Sequence, residues 1–243
     1  MSIVHPLPRR ARRAASLAPL ALLVALAACE PVEPSEYVNQ ARIHTAYELE
    51  YDASRDLTTA RATFRFGGPG GTLLELSGDS RVTLNDASMT LVREPFTNRT
   101  YYEREVAGRL ATATFRFEDT EGRRYENAAT VRAADVPASG VGAIDNDVSR
   151  TLFWDGASLL AGEHVDVLLY RVLGSPALGA FRASSPGARS VVLDRAQLQY
   201  MTPGGITVSM EREAKLVPAQ RPDAGGELVV RYKAVPVSAE IVD

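Results

Sequence analysis

The chain has 243 residues, with 27 basic and 30 acidic side chains and a formal net charge of −3. Residues 1–28 hold four of the arginines and no acid, so the remainder carries a formal charge of −7, which argues against nucleic acid as a partner. Cys29 is the only cysteine, so no internal disulfide can form, and any core must be held by apolar burial alone.

The N-terminal segment has three zones. Arg9, Arg10, Arg12 and Arg13 are followed by an apolar run from Ala14 to Leu26, broken only by Ser16 and Pro19, and then by small residues. This is the layout of an export signal. The uncharged stretch from Ala14 to Cys29 is 16 residues, short of the ~20 that a spanning helix needs. A removable leader therefore fits better than a permanent transmembrane helix.

Leu26-Ala27-Ala28-Cys29 resembles the lipobox of bacterial lipoproteins. The resemblance implies that the Cys29 sulfur takes a diacylglyceryl group, that cleavage follows Ala28, and that the new α-amine is acylated. Three chains would anchor the protein without further help, since each buried methylene contributes about 0.8 kcal/mol. An ordinary secretory signal ending beside a free thiol is the alternative. The residues after Arg9 and Arg10 do not resemble the twin-arginine consensus, so the general secretory route is expected. Glu30 stands at the position where lipoproteins carry their sorting signal and is not the aspartate of inner-membrane retention, which points to the outer membrane rather than the inner.

Residues 29–41 read as the lipidated cysteine and an acidic, proline-rich tether, Glu30-Pro31-Val32-Glu33-Pro34-Ser35-Glu36, the alternative being an irregular first strand. From about Ile43 the pattern turns to short alternating runs separated by turns. Ala62-Thr63-Phe64-Arg65-Phe66 recurs in type as Ala113-Thr114-Phe115-Arg116-Phe117, each a strand with one apolar and one polar face. Glycine-rich and acidic turns follow them at residues 67–71 and 118–122. Further strands are expected at 72–76, 81–84, 100–106 and 125–131. After a linker at 134–142, others are expected at 150–154, 164–172, 180–183, 190–193, 197–201, 206–210, 228–234 and 235–241. No long amphipathic helix interrupts either set.

The expected fold is all-β: two tandem immunoglobulin-like antiparallel β-sandwiches, over residues 42–136 and 137–243, after a signal peptide (1–28) and the short tether. Phe64-Arg65 and Phe181-Arg182 are followed at equal distances by Pro69-Gly70 and Pro186-Gly187, then by Leu76 and Leu193, which hints at duplication. The segment Phe115 to Asn127 resembles the late hairpin of bacterial immunoglobulin-like modules, with an aromatic strand, an acidic turn with glycine, and then tyrosine and asparagine. That resemblance implies architecture and no binding residues.

Candidate chemistry is sparse. His44 and His164 are the histidines beyond the leader. His164 and Asp166 fall on one face of a strand, but no nucleophile elbow accompanies them, and a solvated polar face is the simpler reading. Asp145-Asn146-Asp147 offers clustered oxygen ligands of the kind calcium takes, yet lacks the glycine and distal glutamate of a calcium hand and reads as a turn. Trp154 reads as core, with an exposed sugar or partner contact as the alternative. Asn98-Arg99-Thr100 matches a glycosylation acceptor that carries little meaning in a bacterium. No metal or cofactor is implied and no catalytic residue is assigned, which leaves Cys29 as the one assigned site, for lipidation.

These features point to a membrane-anchored exported lipoprotein, a non-catalytic binding or scaffolding module of the bacterial envelope. Its expected partners are the lipid bilayer, through acylated Cys29, and an envelope protein or glycan. The alternatives are an anchored hydrolase of carbohydrate or peptide, and an accessory subunit of an envelope assembly or secretion complex.

Overall fold

A computed structural model describes residues 32–94 and 99–243. Cys29, the leader and Asn98 lie outside these residues. The described chain is nearly all strand: β1 (Val32–Pro34), β2 (Ile43–Asp52), β3 (Leu57–Phe66), β4 (Thr72–Glu75), β5 (Arg81–Leu84), β6 (Ala87–Ser88), β7 (Thr90–Glu94), β8 (Arg99–Ala107) and β9 (Ala113–Glu118) come first. There follow β10 (Arg124–Ala129), β11 (Ala143–Asp145), β12 (Arg150–Phe153), β13 (Glu163–Tyr170), β14 (Gly179–Ala183), β15 (Ser190–Leu193), the single α-helical turn α1 (Arg195–Leu198), β16 (Gly204–Leu216), β17 (Gly226–Lys233) and β18 (Val237–Val242).

Three sheets result. The largest has the order β1-β4-β3-β2-β17-β16-β13-β14, with β8 beside β3, β7 beyond β8, β18 beside β16 and β11 beyond β18. A four-stranded sheet, β10-β9-β5-β6, and a two-stranded one, β12-β15, complete the set. Strict alternation drives the assembly: along β9, Ala113, Phe115 and Phe117 are fully buried, and along β13, Val165, Val167 and Leu169 are. Between the large sheet and the four-stranded one, the ring of Tyr47 lies 4.8 Å from that of Phe115, and Phe64 lies 4.7 Å from Phe117. Each buried aromatic of this kind contributes about 1.5–3 kcal/mol through the area it removes from water. In the second half, Leu152, Val191 and Leu193 of the small sheet join the same buried cluster as the inward residues of β13.

Most neighbouring strands are antiparallel, but three pairs are parallel: β1 with β4, β11 with β18, and β2 with β17. The last joins the two halves, pairing Thr45 with Gly226 and Asp52 with Lys233, so one sheet runs through both. A second link comes from the loop between β16 and β17. Asn127 on β10 is buried; its Nδ2 donates to the Gln220 carbonyl at 2.7 Å, and its Oδ1 accepts from the Gln220 N–H at 3.0 Å.

A third contact is a buried ionic clasp under the linker. The Glu163 carboxylate accepts from Arg212, from Arg132 at 2.6 Å and from the Leu160 N–H at 2.6 Å, while Arg212 donates to the carbonyls of Ala133, Ala157 and Ser158. Burial by itself would push the Glu163 carboxyl up. The Leu160 N–H and the two guanidinium groups outweigh that and hold it below its usual value.

Two local expectations change. Residues 197–201 do not form a strand: Asp194 caps a helical turn by accepting from the Ala196 N–H at 2.9 Å, and Arg195–Leu198 are good helix formers. From Val32 onward the segment read as a tether is docked, which is the first-strand alternative. β1 pairs with β4, the buried Ser35 hydroxyl meets Ser80 Oγ at 2.7 Å, and Gln40 Nε2 donates to the Ser35 carbonyl at 2.7 Å. The proposed duplicate segments also differ in pairing. β3 and β4 are hydrogen-bonded neighbours, whereas β14 and β15 lie in different sheets.

Candidate functional site

The outward face of the large sheet carries rows of charge, because alternation sends the polar member of each residue pair to solvent. Arg182 holds Asp166 at 2.6 Å, Arg231 holds Glu213 at 2.7 Å, Lys233 holds Glu50 at 2.9 Å and Arg61 holds Glu103 at 2.7 Å. Exposed cross-strand pairs of this kind contribute about 0.2–1 kcal/mol each, so they set register and solubility more than stability.

One place on this face is concave. Ala46 on β2 is paired in register with Thr63 on β3, and both are short. Long side chains surround them: Glu48 two residues along β2, Arg61 and Arg65 on either side of Thr63, and Glu227 on β17 directly opposite Ala46. Tyr101 and Arg99 on β8 form the far wall. Two small residues ringed by long ones leave a depression of about 430 Å³, within the size range of small-ligand sites.

The walls are braced. The Arg61 guanidinium lies 5.1 Å from the Tyr101 ring centroid while its Nε donates to Glu103. The Tyr101 hydroxyl donates to Glu94 at 2.9 Å, and Arg65 Nη1 donates to the Gly71 carbonyl at 2.7 Å. Burial and the Glu94 carboxylate both push the Tyr101 phenol up, keeping it a neutral donor. Burial disfavours the charged form of Arg61, but Glu103, Tyr101 and Glu48 outweigh it and hold the charge firmly. Such an arrangement can hydrogen-bond and pair charge with a polar ligand.

Opposite Arg65 in register sits His44, 6% exposed, with Nδ1 lacking a hydrogen-bond partner among the described residues. Burial drives its pKa down, Glu227 opposes the shift and Arg65 adds to it.

The residues singled out from sequence fall elsewhere. His164 and Asp166 do share a face, with Nε2 3.5 Å from Oδ2, but Arg182 takes both Asp166 oxygens, at 2.6 and 2.7 Å. A carboxylate occupied by a bidentate arginine is poorly placed to orient a catalytic imidazole. Asp145 and Asp147 form a turn in which Asp145 accepts from the Asp147 N–H at 2.8 Å, and Arg195 pairs with Asp147 at 3.3 Å. Among the described residues no group of three or more His, Cys, Asp or Glu side chains is arranged to hold a metal. Trp154 is core, 2% exposed, with Nε1 donating to the Ala157 carbonyl. No helix among the described residues is long and apolar enough to cross a membrane.

Sequence reasoning missed the depression. Its signal was two short residues, Ala46 and Thr63, at outward positions otherwise filled by long side chains, and only the pairing of β2 with β3 puts them side by side.

No protein-family model and no curated protein matches the chain. Among solved structures, the Yersinia pseudotuberculosis adhesin InvE is similar at 12% identity and a TM-score of 0.22, over 81% of this chain. The chain spans 59% of the adhesin's length.

Proposed function

We propose that the protein is an exported bacterial lipoprotein, anchored through acylated Cys29, that acts as a non-catalytic binding or scaffolding module in the cell envelope, at the outer membrane rather than the inner. The observation that carries the binding part is the depression over Ala46 and Thr63, with its braced ring of donors and acceptors. Its equipment suits recognition: fixed charges, a phenol and threonine hydroxyls around a floor that two short side chains leave open. The anchor rests on the lipobox-like Leu26-Ala27-Ala28-Cys29 and the leader before it. The partner in this reading is an envelope protein or glycan.

Two measurements test it. Affinity capture from native membranes should enrich the same envelope component with the wild-type protein and not with Ala46→Phe, whose ring would fill the depression. Equal enrichment by both would remove the site from the account. Mass spectrometry of the mature N-terminus should find a triacylated Cys29; an unmodified thiol there would remove the anchor and leave the binding surface to be judged separately.

A further inference from the structure

β1 begins at Val32, three residues after Cys29. Three residues reach at most about 11 Å even when fully extended, so an anchor at Cys29 leaves little slack between a bilayer and the fold. β1 also has a fixed direction. It runs parallel to β4 with Val32 level with Leu73, and β4 starts directly after the turn at residues 67–71. Both strands run away from that turn, so the chain from Cys29 enters the sheet beside it.

The turn itself is Gly67-Gly68-Pro69-Gly70-Gly71 and carries no charge. The fold accounts for three of its glycines: Gly67 and Gly68 have φ of +88° and +135°, and a Cβ on Gly71 would meet the Phe66 carbonyl oxygen. Gly70 has neither constraint, with nothing within 4 Å of the place a Cβ would take, so its bare backbone is not required by the fold and is free for close approach to another surface. Beside the turn, the Gly67 N–H donates to the Arg42 carbonyl, and the Arg42 guanidinium lies 5.1 Å from the Phe66 ring centroid with no carboxylate partner among the described residues. Arg65 donates to the Gly71 carbonyl. The loop after β16 adds Arg221 and Asp223 to this end, since the Ala224 N–H donates to the Ala41 carbonyl, and β17 adds Glu227.

The flank formed by β1 differs. Glu33 and Glu36 are exposed there, as is Asp79 beside Gly78, which faces Glu36, and none of the three makes an ion pair with a described residue. Arg93, which reaches β4, is already held by Glu75 at 2.6 Å. Laying this flank on a bilayer would set unpaired carboxylates against headgroup phosphates, whereas the end at the turn offers uncharged backbone with arginines around it. We propose that the end formed by residues 67–71 and Arg42 is the surface that lies against the bilayer, with β2 and β3 standing away from it. This rests on the lipid anchor at Cys29 and adds which face of the protein the membrane meets. Thr63, in the floor of the depression, is three residues from Phe66, about 10 Å along β3, so the occupant of that site is met close to the headgroups.

The test uses the full mature lipoprotein in vesicles of phosphatidylethanolamine and phosphatidylglycerol that contain a lipid with a spin-labelled headgroup as quencher. Acylation leaves Cys29, the only cysteine, without a free thiol, so a single added cysteine takes a fluorophore alone. Gly70→Cys places it in the turn, Arg55→Cys in the turn at the other end of the ten-residue β3, about 33 Å away, and Glu36→Cys on the β1 flank. All three positions are exposed, so the variants should fold normally, and unchanged circular dichroism is the control. The label at position 70 should lose most of its emission, while those at positions 55 and 36 keep theirs. No quenching at position 70 in protein whose Cys29 is triacylated by mass spectrometry, or quenching at position 55 or 36 as strong as at 70, would overturn the proposal. An unmodified Cys29 in the mass spectrum would instead fail the anchor reading and take the proposal with it.

Discussion

Glu163→Gln is the sharpest test of how the linker region is held. Glu163 is 6% exposed and Arg212 2%, so the substitution leaves a buried guanidinium whose nearest remaining partners are the neutral carbonyls of Ala133, Ala157 and Ser158. Breaking a buried ion pair from one side costs about 3–5 kcal/mol. For a chain of this size each kcal/mol moves the midpoint by about 2–4 °C, so the melting temperature should fall by about 6–20 °C. Trp154 reports on the same region, since its Nε1 donates to the Ala157 carbonyl, a group that also accepts from Arg212.

The pH dependence adds a second constraint. The Glu163 carboxyl is held below its ordinary value of 4.5 in the folded state, so the native protein binds fewer protons than the unfolded chain as the pH falls. Its stabilisation is fully present above that value and is lost as the pH drops through the folded pKa. Urea denaturation followed by tryptophan fluorescence should therefore show the gap between wild type and Glu163→Gln narrowing below about pH 4.5. A loss under 1 kcal/mol at pH 7, or a gap that stays constant down to pH 3, would refute the clasp.

Other consequences are open to measurement. Asn127→Ala removes both part-buried hydrogen bonds between the buried Asn127 side chain and the Gln220 backbone, so at about 0.5–1.5 kcal/mol each it should cost about 1–3 kcal/mol in chemical denaturation. Because burial lowers the His44 pKa from 6.5, the stabilisation from its neutral form is present above that pH and lost as the pH falls through the folded value. His44→Gln should flatten the stability curve between pH 7 and 5 relative to wild type. Gly71→Ala should destabilise strongly, because a Cβ there would lie 1.8 Å from the Phe66 carbonyl oxygen and the turn between β3 and β4 would have to move; an unchanged melting curve would contradict the turn geometry. Ala46→Phe, on the solvent face, should alter stability by no more than about 0.5 kcal/mol, which makes any binding loss attributable to the filled depression.

What could be read from the sequence was local. Ala113-Thr114-Phe115-Arg116-Phe117 announces β9 because its apolar residues alternate without interruption, and the all-β class follows from many such runs. Residues 197–201 read as a strand from their place in the series of short runs, while the deciding signal was the capping aspartate at 194. The parallel pairing of β2 with β17 brings together residues more than 170 positions apart and leaves no trace in either strand's own pattern. His164 and Asp166 illustrate both sides. Their shared face was legible from spacing, but the arginine that occupies Asp166 arrives from β14, and only the register shows it. The depression was hidden for the same reason, since its floor is a cross-strand pair.

The central claim is that the ring around Ala46 and Thr63 is a ligand site. Amide chemical-shift mapping of the full mature protein during titration with the envelope component that it captures from native membranes tests it most directly. The account predicts saturable shifts confined to β2, β3, β8 and the start of β17, and their disappearance in Ala46→Phe. Shifts scattered over the charged face that grow linearly with ligand, or that persist in Ala46→Phe, would contradict it.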